Sequence, residues 1–316
     1  MTLKKTVVLV LAMLIALGSR GAAALAGSPD TPVSDDPGML EALAADTAAA
    51  VTSVRPYTGT GSRSLGALLL QGVDLTTPDP AAIAAMRPLG AGTESILRPD
   101  TRVRTYTTTF PARATVLITN SINNFRCSGF LIGPNTVATA GRCIHSGGPG
   151  GTWYSNAGYM VYPGADGASF PYGGCTVKGK YTVNGWTGSS NEMYDYGALK
   201  LNCTVGSTVG SYGFYWTSAS LSFLPAIVSG YPGDRPSTQW WASDIVRLSY
   251  PEQIFYRNDT HEGMSGSPVW TDRPGVYAMA IHGYGLHGAS PHSIYNHGKR
   301  FTSASFTNLM NWRNAP

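Results

Sequence analysis

From residue 103 onward, the chain is a series of short β-prone runs separated by Gly, Pro and Asn. The runs include 114–118, 128–132, 136–140, 197–201, 225–229, 244–248 and 276–282. Strands at this spacing predict an all-β sandwich or barrel, because a βαβ protein would place helical segments between them. Only residues 303–312 have apolar side chains at helical spacing, so we expect one helix at the C-terminus.

The first 26 residues have the layout of a secretory signal peptide. Lys4 and Lys5 precede the apolar run 7–17, and the small residues within 24–26 form a cleavage site. The run is too short to span a bilayer, and no later run reaches about 18 apolar residues. The sequence therefore predicts a secreted, extracellular protein without a stable membrane anchor.

Residues 27–94 are predicted to be a propeptide. They are rich in Ala, Pro, Thr and Asp, lack Cys and Trp, and hold eight acidic residues against three arginines. A segment of this composition buries little apolar surface by itself, and a flexible linker is the alternative. The remaining body is mildly basic and can attract an acidic propeptide or acidic substrates. Its charges are scattered rather than clustered, which argues against nucleic acid as a partner.

All four cysteines, Cys127, Cys143, Cys175 and Cys203, follow this segment. An even number in an exported chain predicts two disulfides, for which the sequence allows three pairings. Cys127–Cys143 and Cys175–Cys203 are favoured, because each pair brackets a plausible strand-turn-strand segment. The uneven spacing and the lack of a CxxC motif disfavour a zinc site, and we expect no metal and no cofactor.

The strongest local motif is Gly-Met-Ser-Gly-Ser-Pro at 263–268. A nucleophilic serine needs a tight turn on its N-terminal side, and Gly263 permits the backbone angles of such a turn. The motif therefore makes Ser265 a candidate nucleophile and makes the N–H groups of Gly263 and Ser265 candidate oxyanion donors. A plain Gly-Ser turn between strands is the alternative.

Two further blocks lie upstream, at 137–144 and 194–201. In the second block, Asp195 is embedded among aromatic and apolar residues, where a buried carboxylate needs a partner. The three blocks stand in the order of the chymotrypsin-like serine proteases. The chain most resembles the bacterial V8-like glutamyl endopeptidases, over nearly all of residues 95–316. The matching stretches are 127–134, 194–198, 229–234, 238–240, the serine motif and 308–312.

The resemblance implies two packed six-stranded antiparallel β-barrels with the active site between them. We place these barrels at 95–205 and 206–316, the second with the C-terminal helix. A Cys127–Cys143 bridge beside the active site is also implied. The expected partners are polypeptide substrates and the chain's own propeptide, and we expect a monomer.

Carried over by position, the resemblance makes Ser265 the nucleophile and Asp195 the residue that orients the base. It also assigns His282 and Thr260 to the substrate carboxylate, since an imidazole and a hydroxyl can hydrogen-bond it. The segment Gly283, Tyr284 and Gly285 resembles the strand that pairs with substrate and walls the specificity pocket. These residues predict cleavage after Glu or Asp.

Two nearby features bear on this specificity. Asp259, six residues before Ser265, is the rival determinant, because an acid at that spacing selects Arg or Lys in trypsin-like proteases. Glu94 precedes Ser95, the predicted start of the mature chain, and a glutamate-specific enzyme would cut there. In some relatives the new α-amino group helps to bind the substrate carboxylate, which makes Ser95 a candidate for that role.

One position departs from the family pattern. The family has its general-base histidine directly before the cysteine of the first block, where this chain has Arg142. Arginine stays protonated and has no lone pair for the serine proton, so Arg142 is expected to pair with Asp195 instead. His145 is a possible substitute base if 142–145 form a helical turn, although its reach would shift by ~5 Å. Two functions stay open: a working endopeptidase, or a pseudoenzyme that binds acidic peptides or a propeptide.

Overall fold

The structure, a computed structural model, describes residues 27–46, 56–61, 72–90, 95–97 and 99–316. The predicted signal peptide and the predicted processing residue Glu94 lie outside the described residues. Within the described part, no helix has the length and apolar character needed to cross a membrane.

Seventeen strands form the framework of the described chain. They are β1 (Pro32–Ser34), β2 (Arg87–Pro88), β3 (Val103–Arg104), β4 (Thr115–Asn120), β5 (Phe125–Leu131), β6 (Thr136–Thr139), β7 (Tyr159–Pro163), β8 (Val177–Val183), β9 (Gly197–Leu201), β10 (Gly213–Phe214), β11 (Pro225–Gly230), β12 (Trp240–Ile245), β13 (Leu248–Ser249), β14 (Gln253–Tyr256), β15 (Pro268–Thr271), β16 (Tyr277–Tyr284) and β17 (Asn296–Arg300). The α-helices are α1 (Pro37–Asp46), α2 (Pro80–Ala85), α3 (Asn184–Thr187), α4 (Gly206–Val209) and α5 (Ser303–Asn314).

The strands form two curled, mostly antiparallel sheets. The first runs β1-β8-β9-β6-β5-β4-β7, with β2 added beside β5. The second runs β13-β14-β17-β16-β15-β11-β12-β3, with β10 added beside β16. Each sheet has six principal strands, β4 to β9 in the first and β11, β12 and β14 to β17 in the second. The predicted all-β fold with two six-stranded units is confirmed.

Alternation along the strands explains how both faces of the first sheet are covered. Val116 and Ile118 on β4 point into the main core, whereas Leu117 points to the opposite face. There it packs in a small cluster with Ile83 of α2 and Tyr162. The region before residue 95 therefore covers an apolar face that the body of the protein leaves open.

The predicted propeptide docks mainly through backbone pairing. β1 adds to β8 in the first sheet, and β2 lies parallel to β5. Asp35 accepts a 2.7 Å hydrogen bond from Nζ of Lys180, whose side chain is 1% exposed. The described parts of this acidic region are thus held by the body rather than by a core of their own.

The C-terminal helix α5 was predicted, and the structure confirms it. Thr302 and Ser305 form a capping box at its start. At its end, Trp312 stacks on Tyr181 with ring centroids 5.6 Å apart, and Lys200 Nζ donates to the Ala315 carbonyl at 2.5 Å. These contacts fix the helix against the first sheet.

Three local features differ from the sequence expectations. The short strand β3 pairs with β12 in the second sheet, although its residues were placed in the first barrel. The run 244–248 is divided between β12 and β13, because Val246 leaves the ladder to bond the Leu224 carbonyl and pack in the core. Helices α1 and α2 were not expected; α2 has Asp79 as N-cap and Pro80 at its first position.

Both disulfides have the favoured pairing. Cys127–Cys143 links β5 to the turn after β6, and Cys175–Cys203 links the segment before β8 to the segment after β9. The described residues contain no other cysteine. The first bridge holds the turn that carries Arg142.

Candidate active site

The turn between β14 and β15 presents Ser265. Gly263 and Gly266 flank it with φ of +93° and +91°, a region that favours glycine. A Cβ on Gly266 would lie 2.1 Å from the Ser128 carbonyl oxygen, so no other residue fits there. The Ser265 hydroxyl donates to the Gly283 carbonyl at 3.4 Å. The motif thus forms a tight turn that holds a buried serine against β16.

Arg142 and Asp195 form a closed pair beside this serine. Asp195 Oδ1 accepts a hydrogen bond from the Arg142 backbone N–H at 2.8 Å, and Oδ2 accepts from Nε at 2.8 Å and from Nη2 at 2.5 Å. The side chains are 8% and 1% exposed. The guanidinium also stacks over the Tyr284 ring at 3.8 Å. Because these hydrogen bonds have an ionised acceptor and are shielded from solvent, they hold both groups firmly in place.

Gly283 is the meeting point of these groups. Its carbonyl accepts from Ser265, and a Cβ on it would lie 3.4 Å from Asp195 Oδ2 and 3.6 Å from Arg142 Nη2. The structure therefore brings the predicted nucleophile, the predicted orienting acid and Arg142 to one place between the two sheets. A guanidinium there offers no acceptor for the serine proton.

The structure does not support His145 as a substitute base. The helical turn reaches His145, whose N–H donates to the Gly141 carbonyl at 2.9 Å, and His145 then forms a bridge with Trp153. The imidazole is buried edge-on against Trp153, and its Nδ1 accepts a hydrogen bond from the Gly147 N–H at 2.9 Å. Burial lowers the pKa of His145. Among the described residues, no hydrogen bond links it to Ser265.

The predicted oxyanion donor at Gly263 already has an acceptor. Its N–H donates to the carbonyl of Leu89 at 2.8 Å, and the Leu89 N–H donates to the Arg126 carbonyl at 2.9 Å. Leu89 belongs to the predicted propeptide, directly after β2. The N-terminal region therefore reaches the turn that carries Ser265, a contact that the sequence did not predict.

His282 and Thr260 are buried polar residues near this turn. His282 lies on β16, and its carbonyl accepts from the Gly266 N–H at 2.8 Å. Its Nδ1 is 2.7 Å from the Tyr256 hydroxyl. Burial lowers the pKa of His282 to about 3, helped by the nearby His297 and Arg142 and opposed by a poorly aligned hydrogen bond between the ring and the His297 backbone, so the ring is neutral. Neither His282 Nε2 nor Thr260 Oγ1 makes a regular hydrogen bond within the described chain.

Ser95 lies against the same part of the second sheet. Its carbonyl accepts from the Thr260 N–H at 3.4 Å and from Asn296 Nδ2 at 2.8 Å. Its hydroxyl accepts from the Leu286 N–H at 3.2 Å. Leu286 follows Gly285, the first residue after the end of β16 at Tyr284. The predicted start of the mature chain is thus next to Thr260, one of the two predicted carboxylate ligands.

Asp259 does not present its carboxylate to a substrate. One oxygen accepts from the Leu97 N–H at 2.6 Å, and the other accepts from the Thr101 N–H at 2.7 Å and hydroxyl at 2.6 Å. Its side chain therefore anchors the segment that follows Ser95. This use of the carboxylate does not support the trypsin-like alternative.

The sequence analysis did not single out one cluster of polar residues. His287, His292 and His297 surround the carboxylate of Glu192, three residues before Asp195. The available signal was the regular H-x4-H-x4-H spacing. It gave no indication of Glu192, which comes from the other sheet.

Two sheets that meet at a Gly-x-Ser-Gly turn and a buried aspartate define a serine endopeptidase of the chymotrypsin fold. The sequence profile of the Trypsin family matches residues 101–305, and the chain belongs to this family. It is 36% identical to the glutamyl endopeptidase of Bacillus licheniformis over 305 residues, covering 92% of this chain and 90% of that protein. It is 37% identical to the "extracellular metalloprotease" of Bacillus subtilis over 316 residues, covering 97% and 95%.

Solved structures agree with this class. A Glu endopeptidase in complex with MPD has a TM-score of 0.59 at 25% identity, over 69% of this chain and 98% of that one. The protease Anisep of Arthrobacter nicotinovorans has a TM-score of 0.57 at 20% identity, over 68% and 100%, and supports the fold alone. The resemblance found in the sequence is confirmed.

Proposed function

We propose that this protein is secreted, has the active site of a serine endopeptidase, and recognises a Glu or Asp residue in polypeptides. Ser265 is the nucleophile that faces the peptide bond after that residue. The observation that carries the specificity is the pair of buried groups Thr260 Oγ1 and His282 Nε2, which lack regular hydrogen bonds within the described chain. An unsatisfied buried polar group costs about 1–3 kcal/mol. A substrate carboxylate would offer acceptors to both.

The protonation state of His282 suits this role. When the Tyr256 hydroxyl donates to Nδ1, the proton of the neutral ring stands on Nε2 and can be donated to a carboxylate. Cleavage after Glu94 would add an α-amino group at Ser95, beside Thr260. That group would supply the positive charge that the neutral imidazole lacks.

The Arg142–Asp195 pair favours the alternative in which the chain binds acidic peptides but has impaired catalysis. The Arg142 guanidinium cannot accept the Ser265 proton. The loss of one triad member costs several orders of magnitude in rate. Binding does not require the base. We therefore propose that this form binds Glu-containing peptides and cleaves them slowly.

Residues 27–94 are proposed to act as an inhibitory propeptide. The Leu89 carbonyl uses the N–H of Gly263 that would otherwise stabilise an oxyanion, and the Asp35–Lys180 pair helps to hold the region in place. Export is supported by residues 1–26, by two disulfides, which persist outside the cell, and by the word "extracellular" in the name of the Bacillus subtilis relative.

That relative's name also calls it a metalloprotease. Zinc proteases of the common type carry HExxH on a helix, and this sequence contains none. His261-Glu262 is followed by Gly-Met-Ser in the turn that carries Ser265. The proposed chemistry for this chain therefore rests on the serine.

Peptide binding tests the proposal directly. The chain is cut after Glu94 with an added glutamyl endopeptidase, and the body is titrated with matched peptides ending in Glu, Gln or Arg. We expect the Glu peptide to bind most tightly, with the Gln peptide about tenfold or more weaker, because hydrogen bonds to a charged group are worth about 1.5–3 kcal/mol. Preference for the Arg peptide would show that the specificity assignment is wrong.

A further inference from the structure

Three histidines and one glutamate meet where the two sheets adjoin. His287 and His292 lie between β16 and β17, and His297 lies on β17 of the second sheet. Glu192 comes from the turn Glu192–Tyr194 of the first sheet. The four residues, called here the His3Glu cluster, have no part in the reaction proposed above.

Three of the four residues in the His3Glu cluster, Glu192, His292 and His297, lie at distances suited to ligands of one small ion. The Nε2 atoms of His287, His292 and His297 lie 3.2, 3.1 and 3.4 Å from the oxygens of Glu192. The ligand atoms of Glu192, His292 and His297 all lie within 4.8 Å of one another. Zinc binds such atoms at about 2.0–2.2 Å, which sets tetrahedral ligand atoms roughly 3.3 Å apart.

Hydrogen bonding explains only part of this convergence, because it accounts for His297, whose Nε2 is hydrogen-bonded to Glu192 Oε2 at 3.4 Å. The Nε2 atoms of His287 and His292 are buried and close to the carboxylate, yet neither makes a hydrogen bond to a described residue. Their rings do not direct an N–H at the oxygens. Imidazole nitrogens together with a carboxylate are the donor set that zinc and related divalent ions take.

The surroundings hold these ligands in place. The His297 ring is fully buried and is stacked between Phe255 and Tyr284, with ring centroids 5.1 Å away on each side. Gln253 Nε2 donates to Glu192 Oε1 at 3.2 Å. Such supporting contacts orient metal ligands. His287 and His292 are 34% and 25% exposed, which leaves an ion a route from solvent.

We propose that Glu192, His292 and His297 bind one divalent transition-metal ion of the zinc class. His287, whose Nε2 lies 3.2 Å from the same carboxylate, is placed to supply a fourth ligand, which would make the site a closed, structural one. The ion ties the 285–295 segment to the turn that leads into Asp195, and Tyr284 links the site to Arg142 through its two faces. The ion therefore stabilises the junction of the sheets and takes no part in peptide hydrolysis.

Cobalt titration of the full chain tests this site. After treatment with a chelator, the chain is titrated with Co²⁺ at neutral pH. We expect one equivalent to bind with the intense visible absorption of tetrahedral cobalt, Zn²⁺ to displace it, and Zn²⁺ to raise the melting temperature. His292→Ala and Glu192→Gln should each weaken binding by about tenfold or more, because both remove a ligand.

His261→Ala is the matched control, since His261 lies outside the cluster and faces Asp234. Near-ultraviolet circular dichroism checks that each variant is folded, and Glu192→Gln keeps the shape of the side chain if His292→Ala does not fold. The proposal is overturned if the unaltered chain binds no Co²⁺. It is equally overturned if the folded ligand variants bind like the parent, or if His261→Ala weakens binding as much as they do.

Discussion

Arg142 and Asp195 are joined by three hydrogen bonds in which every donor belongs to the arginine. The carboxylate that would orient a histidine is thereby neutralised by a fixed cation, which is itself stacked on Tyr284. The same pair that fills the place of the general base joins two segments of the first sheet, and the stacking of Arg142 on Tyr284 extends the contact to the second sheet. Structure and activity should therefore respond to position 142 in opposite ways.

Loss of the Arg142 side chain should destabilise the fold. Arg142→Ala leaves the buried Asp195 charge without its partner, and breaking such a pair costs about 3–5 kcal/mol of unfolding free energy. Urea denaturation measures it. Arg104→Ala is the control, because the Arg104–Asp166 pair is largely exposed and worth about 1 kcal/mol at most. Equal losses in the two variants would contradict a buried, energetically coupled pair.

Thr260 should affect substrate recognition but not stability. Its hydroxyl is buried without a regular hydrogen bond within the described chain. Thr260→Val should therefore leave the unfolding free energy unchanged or higher, while it weakens the binding of Glu peptides by about tenfold or more. Thr139→Val is the matched control: its hydroxyl donates to the Ser128 carbonyl at 2.7 Å, and its loss should cost about 1–3 kcal/mol. A large stability loss in Thr260→Val with unchanged peptide binding would argue for a purely structural threonine.

Asp35 should govern how tightly the N-terminal region stays docked. After cleavage at Glu94, Asp35→Asn should speed release of that region, because the almost fully buried Lys180 loses its charged partner. We expect binding in trans to weaken by about tenfold or more, measured by calorimetry. Asp36→Asn is the control, since among the described residues the hydrogen bond to its carboxylate comes from the Gly38 N–H of its own segment. Identical release from both variants would count against the ion pair.

Much of the fold was predictable because its signals are local. Strand alternation, the Gly-Met-Ser-Gly turn, the C-terminal helix and the cysteine pairing all depend on short spacings. The Arg142–Asp195 pair was also predictable, since an arginine placed beside a buried acid has few other partners.

Contacts between distant segments could not be predicted in the same way. Asp259 was given a place in the specificity pocket, but its carboxylate binds Leu97 and Thr101, about half the chain away in sequence. The Leu89–Gly263 contact depends on how the N-terminal region adds to β5. The His3Glu cluster needs Glu192 from the opposite sheet, and histidine spacing alone gives no information about it.

The central claim is that the arginine at position 142 is what limits catalysis by Ser265. The most direct measurement is kcat/KM for a Glu-containing peptide with the chain processed after Glu94, compared with Arg142→His, Arg142→Gln and the double variant Arg142→His/Ser265→Ala. We predict a gain of about 10³-fold or more for Arg142→His, no comparable gain for Arg142→Gln, and no activity in the double variant. Parent activity equal to that of Arg142→His would contradict the account, because Ser265 would then have a base elsewhere.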